Sequence, residues 1–334
     1  MDEALQIVNT IRKGQFSPIY FLFGDEAYFI DKISDFIADT VLTEDEKSFN
    51  QMVLYGKDVT IDDIVGNAKR YPMMAERQVV IIKEAQHLSR TIENLCAYAE
   101  NPQATTVLVI CYKYKKLDKR KKLYKTIQKS GGVLFESKKL YENQVTEWLR
   151  KNLMSNGYTI SHKASLLLVE YLGTDLGKIN KELDKLKLAL PKETEITPKH
   201  IEEHIGISKD YNNFELKRAI GERDIVKATR IVTYFAQNPK DNPFILTVTL
   251  LNSFFTQLLQ YHGLSDHSSK SVASALRINP YFVNEIQTAA RNYPMKKVSS
   301  VISSLRELDL KGKGVGANAL SDADLLKELL FKII

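Results

Sequence analysis

Residues 19–24 read Ile19-Tyr20-Phe21-Leu22-Phe23-Gly24, and residues 25–26 add Asp25-Glu26. Five consecutive apolar residues closed by a glycine describe a strand buried on both faces and ending in a tight turn. Immediately after it, Phe29, Ile30, Ile33, Phe36, Ile37 and Val41 recur at helical spacing. Strand, glycine turn and helix in that order open a parallel α/β domain, at the place where a nucleotide-binding protein keeps its phosphate loop.

The residues of that turn argue against phosphate. The pattern GxxxxGK followed by Ser or Thr needs a second glycine so that backbone amides can wrap the anion, a lysine for its charge, and a hydroxyl for Mg²⁺. Counted from Gly24, those three positions hold Phe29, Ile30 and Asp31, and Asp25 and Glu26 add negative charge to the turn. A second diagnostic position follows Val79-Val80-Ile81-Ile82, where a working ATPase carries consecutive acids to hold the metal. The chain continues Lys83-Glu84, and a lysine repels the cation that an aspartate would bind. The frame is that of an ATPase, with no nucleotide-binding or catalytic residues expected in it.

Outward from this strand, further short apolar runs at Met52–Tyr55, Val79–Ile82, Thr106–Cys111 and Val133–Glu136 alternate with helical patterns, the rhythm of a parallel sheet with crossover helices. Thr60 reads as the cap of one such helix and Ser89 as the cap of another, which ends before Asn101-Pro102. After Leu140 the strand pattern fades. Val145, Trp148, Leu149 and Leu153 begin a helical series that continues at Ser161–Leu172, Asp175–Leu190 and Thr197–Ile205, with Trp148 as a core residue. A polar break at residues 208–213 precedes longer helical patterns at Asp224–Gln237, Pro243–Leu264, Lys296–Asp309 and Ser321 to the end. The expectation is three parts: an α/β domain over 1–140, a small helical domain over 141–208 and an all-helical domain over 209–334. A chain of 334 residues exceeds what one core usually serves.

Composition adds exclusions. Hydrophobic residues make up 44 % and charged residues 26 %, the balance of an ordinary globular protein. No apolar run approaches the roughly 18 residues of a membrane span, and the acidic opening is unlike a secretory signal, so a cytoplasmic protein is expected. Cys96 and Cys111 form no CxxC pair and read as buried thiols. The histidines, including His200 and His204 at i and i+4, lack a third ligand, so neither metal nor cofactor is expected. The net charge of +6 is concentrated. Between Lys113 and Lys129 nine basic residues face Asp118 alone, leaving the rest of the chain slightly acidic. On a helix, at roughly 100° per residue, Lys119, Lys122, Lys125 and Lys129 share one stripe of roughly 120° while Leu123, Tyr124 and Ile127 take another face. Such a stripe is either a solvated helix face or a track for DNA phosphates.

The ordered set Pro18–Glu26, Met73–Gln86, Leu117–Leu123, Leu172–Leu176, Glu182–Leu186, Asn213-Phe214 and Leu325–Leu330 resembles the delta subunit family of the bacterial DNA polymerase III clamp loader along nearly the whole chain. The resemblance implies a degenerate AAA+ (RecA-like) domain, a small helical lid and a C-terminal helical collar that joins an assembly of five subunits. It also implies a non-catalytic subunit that neither binds nor hydrolyses ATP. The arginine-finger motif Ser-Arg-Cys of related subunits is absent, Ser89-Arg90 being followed by Thr91. Implied partners are the beta sliding clamp, the gamma/tau and delta-prime subunits, and primed DNA within the complex.

In that family a short hydrophobic element just before an Arg-Gln pair inserts into a pocket of the clamp. Carried onto this sequence, the element is Met73 and Met74, flanked by Tyr71 and Pro72 and followed by Arg77-Gln78. Pro72 disfavours helix at Tyr71 and interrupts the preceding helical pattern, which would turn the next side chains outward. A methionine pair can fill an irregular apolar pocket. Read without the resemblance, two methionines beside a strand belong to a core. Two rivals follow: a nucleic-acid-dependent ATPase, and a stand-alone DNA-binding protein using the basic segment Lys113–Lys129.

Overall fold

The computed structural model describes residues 2–208, 210–315 and 320–334; Met1 and Lys209, the latter within the polar break, lie outside them. The chain forms two compact units, Met1–Trp148 with Thr174–Gly177, and Leu149–Gly173 with Lys178–Ile334.

The first unit is built on five parallel strands, β1 (Ile19–Gly24), β2 (Gln51–Tyr55), β3 (Gln78–Lys83), β4 (Thr106–Lys113) and β5 (Val133–Ser137), in the order β2-β3-β4-β1-β5. All five coincide with the apolar runs of the sequence; the central β1, β3 and β4 are covered on both faces and cannot alternate with polar residues, while the edge strand β2 leaves Val53 and Tyr55 exposed. One face packs Phe21, Phe23, Val80, Ile82, Leu108 and Ile110 against Ile61 and Ile64 of α4 (Ile61–Ala68) and Leu123 and Ile127 of α6 (Lys122–Lys129). Between them in sequence comes the short α5 (Cys96–Glu100). The opposite face is covered by α2 (Ala27–Thr40), against which α1 (Asp2–Arg12) packs; α3 (Glu44–Asn50) leads directly into β2. Trp148 is buried, edge-on to Tyr28 at 5.2 Å between ring centroids.

Helices α7 (Glu142–Ser155) and α9 (Leu176–Ala189), each of which begins in the first unit and continues into the second, and α8 (His162–Leu172) and α10 (Pro198–Ile205) of the second unit follow the expected pattern; Ser161 Oγ accepts from Ala164 N–H. The two-residue parallel strands β6 (Thr159–Ile160) and β7 (Glu195–Ile196) do not follow from the sequence pattern, being too short to show a period. Helices α11 (Asn213–Glu222), α12 (Ile225–Gln237), α13 (Phe244–His262), α14 (Ser269–Leu276), α15 (Val283–Asn292), α16 (Met295–Gly312) and α17 (Asp322–Ile333) share one apolar core. Tyr293 ties it together, its hydroxyl donating to Ile220 O and its ring 5.3 Å from Phe255. Among the described residues no helix is long and apolar enough to cross a membrane.

Four local expectations are corrected. Ser89 does not start a helix; it closes a 3₁₀ turn, Ala85–Leu88, and a second such turn, Ile92–Leu95, leads into α5. The helix before Pro72 already ends at Ala68, whose carbonyl accepts from the Thr106 hydroxyl. Cys96 is only half-buried, beside Thr126 Oγ1 at 3.4 Å, whereas Cys111 is fully buried and its thiol is pushed up to about 11 by burial. The basic stretch is not one helix: β4 runs to Lys113 and α6 starts at Lys122, leaving Lys119 in the turn between them.

Candidate protein-docking site

Two edges of the sheet carry the residues singled out by the sequence. At the C-terminal edge, Gly24 ends β1 opposite Ser137 of β5. Its φ of +127° and the position of Ser137 O, 2.1 Å from where a Cβ would stand, require glycine. The turn beyond it is filled by the protein itself. Glu26 N–H donates to Ser137 O at 3.2 Å, Ser137 Oγ–H donates to Glu26 O at 2.6 Å, and Tyr28 N–H donates to Glu26 Oε1 at 3.1 Å. Two amides that a phosphate loop would turn toward its anion are thus committed to internal acceptors. Glu26 is the N-cap of α2, and burial pushes its carboxyl above the usual range, an effect partly offset by the Tyr28 amide.

Next to this turn lies a cluster of fixed charges. Lys113 Nζ is 2.9 Å from Asp31 Oδ1 and 2.8 Å from Glu84 Oε1; Lys83 Nζ is 2.7 Å from Asp35 Oδ1 and 3.8 Å from Asp31 Oδ1. Burial alone would lower the Lys113 pKa, but its hydrogen bonds to Glu84 and Asp31 outweigh that and raise it. Glu84 is correspondingly lowered, chiefly by Lys113. Asp31, the residue in place of the phosphate-loop hydroxyl, is therefore held by an ammonium of the same chain. Among the described residues no group of three or more His, Cys, Asp or Glu is placed to hold a metal.

The opposite, N-terminal edge holds the segment between α4 and β3. Its base is tied by Gln78, whose side-chain NH₂ donates to Arg70 O at 2.6 Å and to Thr106 Oγ1 at 2.8 Å, while Thr106 Oγ–H donates to Ala68 O at 2.8 Å. The last carbonyl of α4, that of Ala68, is thereby satisfied by a side chain where the helix ends. Arg77 lies over the Phe16 ring, 5.4 Å from its centroid. At the tip, Asn50 grips the backbone of Met73: Met73 N–H donates to Asn50 Oδ1 at 2.6 Å and Asn50 Nδ2–H to Met73 O at 2.9 Å. Beyond this grip Met74 has φ +54°, in the left-handed region.

The apolar side chains of this loop do not enter the core. Tyr71 is 80 % exposed, Met73 52 % and Met74 100 %, with Pro72 half-buried between them. Anchored backbone and unpacked apolar side chains together make a surface suited to a partner's pocket. Nothing in the sequence marks Asn50 or the role of Gln78, since their bonds reach partners 8 to 28 residues away.

The four lysines are dispersed. Lys119, in its turn, lies 3.7 Å from Glu136, and Lys122 is 2.6 Å from Glu100. Lys125 and Lys129 are exposed on α6, while Leu123 and Ile127 of the same helix are buried. Lys113, counted in the basic run, is a strand residue inside the charge cluster.

The family model of the DNA polymerase III delta subunit matches residues 20–138, and a second model, for the C-terminal domain of the same subunit, matches residues 210–329, together more than two thirds of the chain. The DNA polymerase III subunit delta of Bacillus subtilis is 27 % identical over 331 residues, covering 96 % of this chain and 93 % of its own. A solved structure, the Bacillus subtilis DNA clamp loader delta protein, superposes with a TM-score of 0.59 at 24 % identity over 99 % of both chains, the same fold. With matches at both ends in the same order, a sheet domain followed by an all-helical region, the chain belongs to the DNA polymerase III delta subunit family.

Proposed function

We propose that this chain binds one protomer of the beta sliding clamp through Met73 and Met74, with Tyr71 and Pro72 at their flank, and holds the clamp ring open for loading onto primed DNA. The observation that carries the reading is the loop before β3, whose backbone is tied down by Gln78 and Asn50 while its apolar side chains stand in solvent. Buried apolar anchors of this kind supply most of the energy of a modest interface. Ring opening then follows from differential binding: a surface that fits the clamp better in its open form shifts the ring toward that form.

The charge cluster and the self-filled turn at the other edge support a subunit that neither binds nor hydrolyses ATP and needs no cofactor. Nucleotide control enters through the gamma/tau and delta-prime partners of a cytoplasmic assembly of five subunits. In this reading residues 1–140 are the degenerate AAA+ domain, 141–208 the lid and 209–334 the collar. The test is binding of the purified chain to its sliding clamp, compared with Met73→Ala/Met74→Ala; a folded double variant that binds as wild type does would refute the assignment.

A second role has one observation in its favour. Lys125 and Lys129 are exposed on a helix anchored by its apolar face, a geometry that can follow DNA phosphates once the chain is in the complex.

A further inference from the structure

Resting on the clamp-binding reading, we propose that Asn50 is a positioning residue for the docking loop, holding Met73 and Met74 in their binding conformation before the clamp arrives.

Asn50 is the last residue of α3, and its side chain is nearly fully buried although the loop it serves is exposed. Its amide makes a closed pair with Met73, accepting the Met73 N–H at 2.6 Å and donating to Met73 O at 2.9 Å, while its second N–H donates to Glu46 O at 3.2 Å. Of the side chains, only an amide offers an acceptor and two donors in one plane for that set. The helix behind it is itself fixed, since Thr43 and Glu46 form a reciprocal cap, Thr43 N–H donating to Glu46 Oε2 at 2.9 Å.

The need for such a grip is local. Met74 follows with φ +54°, a conformation unfavourable for a residue with a side chain, and that side chain is fully exposed, so its own packing cannot compensate. The fixed plane of Met73 directs the chain into this turn. Without Asn50 the loop would relax toward ordinary backbone conformations, and only a fraction of molecules would present the methionines correctly. Apparent affinity falls by that fraction.

The experiment measures association and dissociation rates of the full chain with its sliding clamp for wild type, Asn50→Ala and Met73→Ala/Met74→Ala, with folding checked by circular dichroism. Asn50→Ala should bind about tenfold more weakly through slower association, with dissociation unchanged, as for a shrunken binding-competent population. Hydrogen exchange on the free wild-type chain should show the Met73 amide protected and the Met74 amide fast. Should Asn50→Ala fail to fold, Asn50→Asp, which keeps the acceptor for Met73 N–H, and the exchange pattern carry the test. Loss of binding in the methionine variant with wild-type rates in the Asn50 variant overturns the positioning role alone. Wild-type binding by the methionine variant overturns the docking reading and this inference with it. Unprotected exchange at Met73 also counts against the grip.

Discussion

Lys113 Nζ lies 2.9 Å from Asp31 Oδ1, so a lysine from the end of β4 neutralises the residue that stands where a phosphate loop keeps its metal-binding hydroxyl. Glu84 and Lys83 extend the contact into a cluster of fixed charges. Substitution here therefore acts on stability. Lys113→Met removes the buried ammonium from Asp31 and Glu84, which are themselves partly exposed, with Lys83 still 3.8 Å from Asp31, and should cost roughly 1–2 kcal/mol in urea unfolding without creating ATP binding.

The same cluster sets a pH window. The Glu84 pKa is lowered in the fold, chiefly by its hydrogen bond from Lys113, so its contribution is present above the unfolded value of about 4.3 and disappears as pH falls through the lower folded value. The Lys113 pKa is raised, so its contribution is present below about 10.4 and is lost as pH rises through the higher folded value. Unfolding curves of wild type and Lys113→Met should differ most between these limits and converge in acid.

Glu26 behaves oppositely. Burial raises its pKa, so the charged form is disfavoured in the fold and its contribution declines as pH rises through the folded value. Glu26→Gln keeps a carbonyl oxygen for the Tyr28 amide and removes the buried charge; at neutral pH its melting temperature should equal or exceed that of wild type. Gly24→Ala should instead destabilise by about 3 kcal/mol or more, since its Cβ would stand 2.1 Å from Ser137 O.

The sheet was legible because strands such as Ile19–Phe23 are buried on both faces and must be continuously apolar, and the missing phosphate loop was legible because it depends on residue types at fixed spacing. Other features depend on partners distant in sequence. The helix α1, whose Ala4, Ile7 and Ile11 recur at helical spacing, lies before the strand that opens the domain pattern and went unread, and α14 and α15 are short segments stabilised by the shared core. Lys119 falls on the lysine stripe when the basic run is drawn as one helix; the late start of α6 at Lys122 removes it. Met73 and Met74 were named from the family resemblance, and their exposure comes from Asn50 and Gln78, which no periodicity reveals.

For DNA, the exposed pair on α6 should matter more than the paired lysines. Lys125→Ala/Lys129→Ala should weaken DNA binding by the assembled complex and reduce the slope of log affinity against log salt by about 0.9 per lost phosphate contact on duplex. Lys119→Ala and Lys122→Ala, which already face Glu136 and Glu100, should change it less; the measurement is a salt titration with primed duplex.

Docking of Met73 and Met74 on the sliding clamp is read out by the dissociation constant of the purified chain for its clamp, with wild type beside Met73→Ala/Met74→Ala. The wild-type chain should bind, and binding should weaken about a hundredfold or more in the double variant, with circular dichroism and unfolding midpoint unchanged because both side chains are exposed. A folded wild-type chain that does not bind the clamp, or a double variant that binds it equally well, would rule out this docking site.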